Sequence, residues 1–248
     1  MRNFKFLGLS MTIACLGLIT GCGNKANASV SENKGNEVQT AAISFSSDQD
    51  VTQFRGPNRD GIYSAESGLL KQWPEGGPQL LWENSDLVHG YSSPAVLSGT
   101  VYITGMNEDK TQEVFFAIDS TGKTLYKTVY GKPWGQAYPE TRTTPTIVDG
   151  KAYVISGMGE IACINIADGS IVWQVDGTAK YGSTTGNWGT AECPLVVDNK
   201  VIYSPGGNQT TVVALNKDTV RKSGNHAHWA KLATMCSQHS SLGMASVR

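Results

Sequence analysis

The sequence predicts an all-β fold assembled from repeated four-stranded antiparallel sheets, on three observations. A proline recurs at the head of similar apolar runs, in Ser93-Pro94-Ala95-Val96, Thr144-Pro145-Thr146-Ile147 and Cys193-Pro194-Leu195-Val196. The spacings are 145 − 94 = 51 and 194 − 145 = 49 residues. Each run is short, rich in Val, Ile and Tyr, and bounded by Gly, Asp or Asn, which is the pattern of strands joined by hairpins. Finally, no stretch after residue 22 shows a helical spacing of apolar residues.

Taken in order, the first unit runs from Pro94 through a Ser98-Gly99 turn into Val101–Gly105. Its second half is Val114–Ile118, the loop Asp119–Lys123, then Leu125-Tyr126. The second unit runs from Pro145 through Asp149-Gly150 into Ala152–Gly157. It continues with Ile161–Ile166, the loop Ala167–Ser170, and Val172-Trp173. The third runs from Pro194 through Asp198-Asn199 into Val201–Gly206, then Val212–Leu215 and Asn216–Thr219. Four strands in each unit of about fifty residues describe the blade of a β-propeller, in which the first strand of every blade lines a central channel. Trp82, Tyr126 and Trp173 fall on outer strands, where a large aromatic wedges between neighbouring blades.

Residues 1–21 read as a bacterial lipoprotein signal peptide. Arg2 and Lys5 form a positive start, and Phe6–Ile19 is an apolar run too short to span a bilayer. The run ends in Leu18-Ile19-Thr20-Gly21-Cys22, the pattern of a lipobox whose cysteine is acylated and becomes the new N-terminus. Cys22 is therefore the expected lipidation site, and two or three acyl chains anchor a protein stably. Gly23 at the next position favours the outer membrane in a cell that has one. Residues 22–50 have few large apolar side chains and read as a lipidated cysteine with a flexible tether, reaching about 30 Å as a random coil.

The formal net charge of −1 becomes −3 once Arg2 and Lys5 leave with the signal. With no basic cluster, the chain lacks the electrostatic footprint of a nucleic-acid binder. Cys163 and Cys193 read as small buried residues, the alternative being a disulfide between them in an oxidising compartment. No cysteine–histidine spacing suggests a metal site, and no Ser/His/Asp set, phosphate loop or acid–base pair marks catalysis.

Loops entering the inner strands point at the channel mouth. Three of them, His89–Ser92, Tyr138–Thr143 and Asn187–Glu192, bring Tyr91, Arg142, Trp188 and Glu192 to similar heights around one axis. An arginine, a carboxylate and two aromatics suit a planar or anionic ligand, a glycan or a protein partner. The competing expectation is that Arg142 and Glu192 bond to each other or to loop backbone while the aromatics pack the mouth.

Ala117-Ile118-Asp119-x-x-Gly122-Lys123-x-x-Tyr126 resembles the tryptophan-docking repeat of the quinoprotein, PQQ-binding-like β-propellers. Ile164-Asn165-x-x-Asp168-Gly169-x-x-x-Trp173 is a looser copy. Phe54–Gly61 and Gly90–Pro94 resemble a lipoprotein subgroup of that family. The resemblance covers about residues 53–219 and implies seven or eight blades, so 51–219 reads as a partial propeller of about three. Dehydrogenases of the family often carry adjacent cysteines and a calcium site, whereas this chain has no Cys-Cys pair. A non-enzymatic binding or scaffold lipoprotein of the cell envelope, with no cofactor, is therefore the first reading. A fragment of a PQQ-dependent alcohol or sugar dehydrogenase, needing PQQ and Ca²⁺, is the second.

The repeat breaks near Thr219. Residues 220–248 hold three of the four histidines and lack a strand pattern. One deleted base in a glycine codon accounts for this, since the shifted frame can encode Thr-Gly-x-x-x-Trp at the repeat spacing. The tail is thus expected to be out of frame and unstructured, the product an inactive truncated copy, and His226 and His228 accidental rather than metal ligands.

Overall fold

The computed structural model describes residues 50–226, except 69, 88, 137, 208 and 209. The signal peptide, Cys22 and most of the tether therefore lie outside the described residues. Among those described, twelve strands form three antiparallel sheets of four strands each. The first sheet is β1 (Ala95–Leu97), β2 (Thr100–Met106), β3 (Glu113–Ile118) and β4 (Thr124–Gly131). The second is β5 (Thr146–Val148), β6 (Lys151–Ile155), β7 (Glu160–Asn165) and β8 (Ile171–Asp176). The third is β9 (Leu195–Val197), β10 (Lys200–Tyr203), β11 (Val212–Asn216) and β12 (Lys222–His226). Each is a simple meander in chain order. The turn residues explain the tight hairpins: Ser98 and Gly99, and Asp149 and Gly150, all have positive φ, the geometry that a two-residue turn needs to match strand twist.

The sheets pack face to face as blades. Tyr102, Phe115, Ala117 and Tyr130 of the first meet Ile147, Ala152, Val154, Ala162 and Ile164 of the second. Tyr153, Ile155, Ile161, Cys163, Trp173 and Val175 of the second meet Val201, Tyr203, Val213 and Leu215 of the third. This alternation of two apolar faces follows from the two-residue period of strands buried on both sides.

One contact recurs from blade to blade. Tyr126 Oη donates to the Ile166 carbonyl at 2.7 Å, and Trp173 Nε1 donates to the Lys217 carbonyl at 2.8 Å. Tyr126 pairs with Ala117 and Trp173 with Cys163, so both aromatics hold one place in the repeat. Tyr126 and Trp82 each lie over a glycine at positive φ, whereas Trp173 meets a blade that has Val220 at that place. A Cβ on Gly169 would fall 2.8 Å from Tyr126 Cε2, and one on Gly122 would fall 2.8 Å from Trp82 Cε3.

Two features depart from the sequence reading. A single helical turn, α1 (Gly177–Tyr181), is capped by the Asp176 carboxylate accepting from Ala179 N at 2.9 Å. It is too short to show periodicity. The stretch after Thr219, expected to lack structure, contributes Lys222–His226 as the outer strand of the third blade. Its residues have low strand propensity. They pair because β11 offers an open edge of backbone donors and acceptors, which captures extended chain regardless of side chain. Residues 227–248, including His228, lie outside the described residues.

Candidate functional site

The loops ahead of the recurring prolines are fixed by a ladder that repeats with the blades. Two residues before each proline, a side chain ties the loop to its own second strand. Ser92 Oγ donates to the Thr104 carbonyl at 2.7 Å, and Thr143 Oγ1 donates to the Ile155 carbonyl at 2.6 Å. Glu192 holds the same place and accepts instead, from Ser204 N at 2.7 Å. One residue before each proline, the link runs between blades. Ser93 N donates to Thr144 Oγ1 at 3.2 Å, and Thr144 N donates to Cys193 Sγ at 3.3 Å. Cys193 and Cys163 are both free thiols, so the disulfide alternative is not realised. Cys163 is committed to the core between the second and third blades, and Cys193 to the ladder.

Of the four residues expected at the mouth, the structure joins two directly. Arg142 Nη1 donates to the Trp188 carbonyl at 3.1 Å, and Arg142 Nη2 donates to the Tyr138 carbonyl. The Tyr138 and Trp188 rings stack with centroids 6.5 Å apart and planes 24° apart. Both remain largely open to solvent, 68% and 56% exposed. Tyr91 is 64% exposed, and its N–H donates to the Thr141 carbonyl at 2.7 Å, beside Arg142 in sequence. Below Trp188, the Thr190 N–H donates to the Gly157 carbonyl at 2.9 Å and Gly189 closes over the Trp134 ring. The aromatic pair is thus carried on anchored loops.

Glu192 does not join this group. Its carboxylate turns to Ser204, and Arg142 turns to loop carbonyls, so of the two alternatives, a mutual pair or loop-backbone partners, Arg142 takes the backbone. Burial raises the Glu192 carboxyl to about 7, opposed by the Ser204 N–H and hydroxyl and by the charge of Arg59.

Sequence reasoning missed Arg59 and Glu113. Arg59 Nη1 reaches the Cys193 carbonyl at 3.4 Å and Nη2 the Pro194 carbonyl, while Nη2 also lies 3.4 Å from Thr146 Oγ1. Its Nε donates to Gln53 Oε1 at 2.9 Å. Burial lowers its pKa, countered by the nearby Cys193 and Glu192. Glu113 is fully buried between the first two blades. It accepts from Tyr130 Oη at 2.5 Å and from Gly157 N at 2.8 Å. Burial raises its carboxyl to about 7 despite those donors. Neither residue falls on an apolar–polar alternation that would have singled it out. The place of Glu192 was legible, since it aligns with Ser92 and Thr143 when the prolines are superposed.

Blades joined by a ring-to-carbonyl contact over a glycine define a β-propeller of the PQQ-like repeat class. The family model described as outer membrane protein assembly factor BamB matches residues 110–244. That is 244 − 110 + 1 = 135 of 248 residues, and the chain belongs to this family. No curated protein matches the chain. Similar solved structures include a quinohemoprotein alcohol dehydrogenase from Pseudomonas putida HK5, 25% identical with a TM-score of 0.42, over 55% of this chain and 20% of that one. Another is the quinohemoprotein alcohol dehydrogenase from Comamonas testosteroni, 21% identical with a TM-score of 0.44, over 58% of this chain and 22% of that one. BamB from Moraxella catarrhalis is 21% identical with a TM-score of 0.40, over 59% of this chain and 40% of that one. The match thus spans at most two fifths of the length of these three structures.

Proposed function

We propose that the chain is a lipid-anchored propeller of the cell envelope that acts as a binding or scaffold protein, docking an envelope protein on its loop face. The observation that carries this reading is the platform of Tyr138 and Trp188, stacked on each other, with Arg142 bonded to both of their carbonyls. Exposed aromatics beside an arginine, on loops fixed by a sheet scaffold, are the usual anchors of protein interfaces. The family's description as an assembly factor agrees with a partner in the envelope, and the lipobox at Cys22 supplies the anchor. The outer membrane is the favoured location in a cell that has one.

Photo-crosslinking tests the docking face. A photoreactive side chain replacing Trp188 is expected to capture an envelope protein, and Arg142→Ala is expected to abolish the capture. The same probe at Leu125, an exposed position on β4, is the control. Equal capture from both positions would remove the docking face. Labelled palmitate should enter the wild-type chain and not Cys22→Ala; equal labelling would remove the anchor.

The third blade supports the further reading that the chain leaves its repeat after Thr219. Val220 N donates to the Asn216 carbonyl as Gly169 N does to that of Asn165, so Val220 stands where the repeat has glycine. Its φ is +57°, a conformation that costs a β-branched residue about 1–2 kcal/mol. Gly224 pairs with Ala214 as Trp173 pairs with Cys163, so glycine stands where the docking aromatic belongs. The family match continues through this stretch to residue 244, so the frameshift reading rests on these two positions. Sequencing the locus tests it. Further blades encoded in the shifted frame support a truncated copy, and their absence there removes the idea.

A further inference from the structure

The segment Val51–Tyr63 contains the motif Phe54–Gly61, which neither the blades nor the docking face explains. It runs along the inner edges of the blades. Val51 and Val96 of β1 exchange both backbone hydrogen bonds, at 2.9 and 2.8 Å. The next residue, Thr52, accepts from Ile147 N of β5 at 2.7 Å. Arg59 then reaches the third blade through the carbonyls of Cys193 and Pro194, beside the start of β9. Residues 51–59 thus bond to β1 and β5 and to the two residues that lead into β9, the strands that face the axis of a propeller.

The motif shapes the segment for this path. Arg55 and Arg59 have positive φ, as do Gly56 and Gly61, so the chain doubles back tightly. Gly56 also admits the Tyr63 ring, which a Cβ there would meet at 3.2 Å. Asp60 Oδ1 accepts from Ile62 N at 2.9 Å, and Gln53 Nε2 donates to the Pro57 carbonyl at 2.6 Å. These bonds place the Arg59 fork toward the blades rather than toward solvent. An arginine suits the task because its planar fork spans several acceptors at once.

We propose that residues 51–63 form a strap across the inner edges of the three described blades, bolted by Arg59, so that these edges are covered by the chain itself and offer no cofactor pocket. A planar quinone with its divalent ion, as the dehydrogenase reading requires, needs axial space at the strand ends and an acidic ligand set. Here the axial ends of β5 and β9 carry a guanidinium bonded to Thr146 Oγ1 and two carbonyls. Glu192, the nearest carboxylate in the ladder, is committed to Ser204. Among the described residues no cluster of three or more metal-ligating side chains exists. The described residues therefore do not fit that pair. The strap goes beyond the docking-face reading and stands independently of it.

The test uses the full chain and two variants. Val51→Pro removes one main-chain donor from a half-buried position without touching a blade, and Arg59→Ala removes the bolt. Hydrogen exchange at the Val96 and Ile147 amides should quicken about tenfold in Val51→Pro, since a lost edge strand opens them to water. Arg59→Ala should lower the melting temperature by roughly 4 °C or more, as two or more part-buried hydrogen bonds go. Wild-type exchange and melting in both variants would overturn the strap. PQQ with Ca²⁺, titrated into the wild-type chain and followed by tryptophan fluorescence, should leave the signal unchanged. Saturable one-to-one quenching would overturn the covering of these edges. The docking-face reading would survive either failure, because it is read from crosslinking at Trp188.

Discussion

The second and third blades share one topology and differ in what holds their outer strands. In the second, Trp173 on β8 is buried, docks on the Lys217 carbonyl and packs with Tyr153, rings 6.0 Å apart. In the third, Gly224 takes that place on β12 and nothing lies within 4 Å of where its side chain would be. The faces differ as well, because the third blade covers the second and, among the described residues, no sheet covers the third. Tyr153, Ile161 and Cys163 are fully buried beneath the third blade, whereas their counterparts Ile202, Val212 and Ala214 are half-buried and Leu195 and Val197 are exposed. Forming a strand therefore takes only an open edge, while locking a blade to its neighbour takes a ring that reaches the next blade's carbonyl, as Trp173 does even with Val220 at the glycine place.

The largest expected effect breaks the second blade. Trp173→Ala should cost about 3–5 kcal/mol, through lost burial and the lost bond to Lys217 O. Urea unfolding measures it, and a loss below about 1 kcal/mol would deny the docking role. Smaller, and acting on the first interface, is a pH effect. Glu113 is raised from 4.5 to about 7 in the folded chain by burial, so folding takes up its proton. Stability from this group is complete below about pH 4.5 and is lost as pH rises through about 7, by roughly 3 kcal/mol at most. Glu192 shifts the same way. Melts across pH 5–8 should show falling stability, and Glu113→Gln should flatten the trend. A melting point that climbs with pH would refute the buried-carboxyl origin.

Val220→Gly sharpens the comparison from the other side. Val220 is half-buried against the core of the second and third blades, so glycine relieves the positive φ but removes some packing, and the net stabilisation should be at most about 1 kcal/mol. A destabilised variant would mean that Val220 contributes packing that outweighs its strain. The smallest effect concerns the ion pair of Lys217 and Asp149 across the same interface. The Lys217 side chain is largely covered but Asp149 is mostly exposed, and a pair open to solvent on one side contributes little. Asp149→Asn, which removes the charge alone, should therefore leave the melting temperature where it is.

How much of this was legible in the sequence follows physical lines. The blades were, because Pro94, Pro145 and Pro194 fix a register and the paired turn residues need positive φ. The docking rings were, because Tyr126 and Trp173 stand at a fixed distance from Gly122 and Gly169. The break after Thr219 was visible as a missing glycine and aromatic, yet the strand that forms there was not, since edge pairing uses backbone alone. At the mouth, local reading put Arg142 and Trp188 on neighbouring loops and the structure joins them. It could not see that Glu192 serves its own blade through Ser204. Arg59 lay inside the motif Phe54–Gly61, but its contacts with the blades were hidden. Its partners lie 87, 134 and 135 residues away, and no periodicity reports a contact of that range.

Amide hydrogen exchange on the full chain, resolved for β8 and β12, tests the docking rule most directly. Slow exchange along Ile171–Asp176 and fast exchange along Lys222–His226 is the expected result, because the first strand is locked by a buried ring and the second is held by its edge alone. Equal protection of the two strands would contradict it.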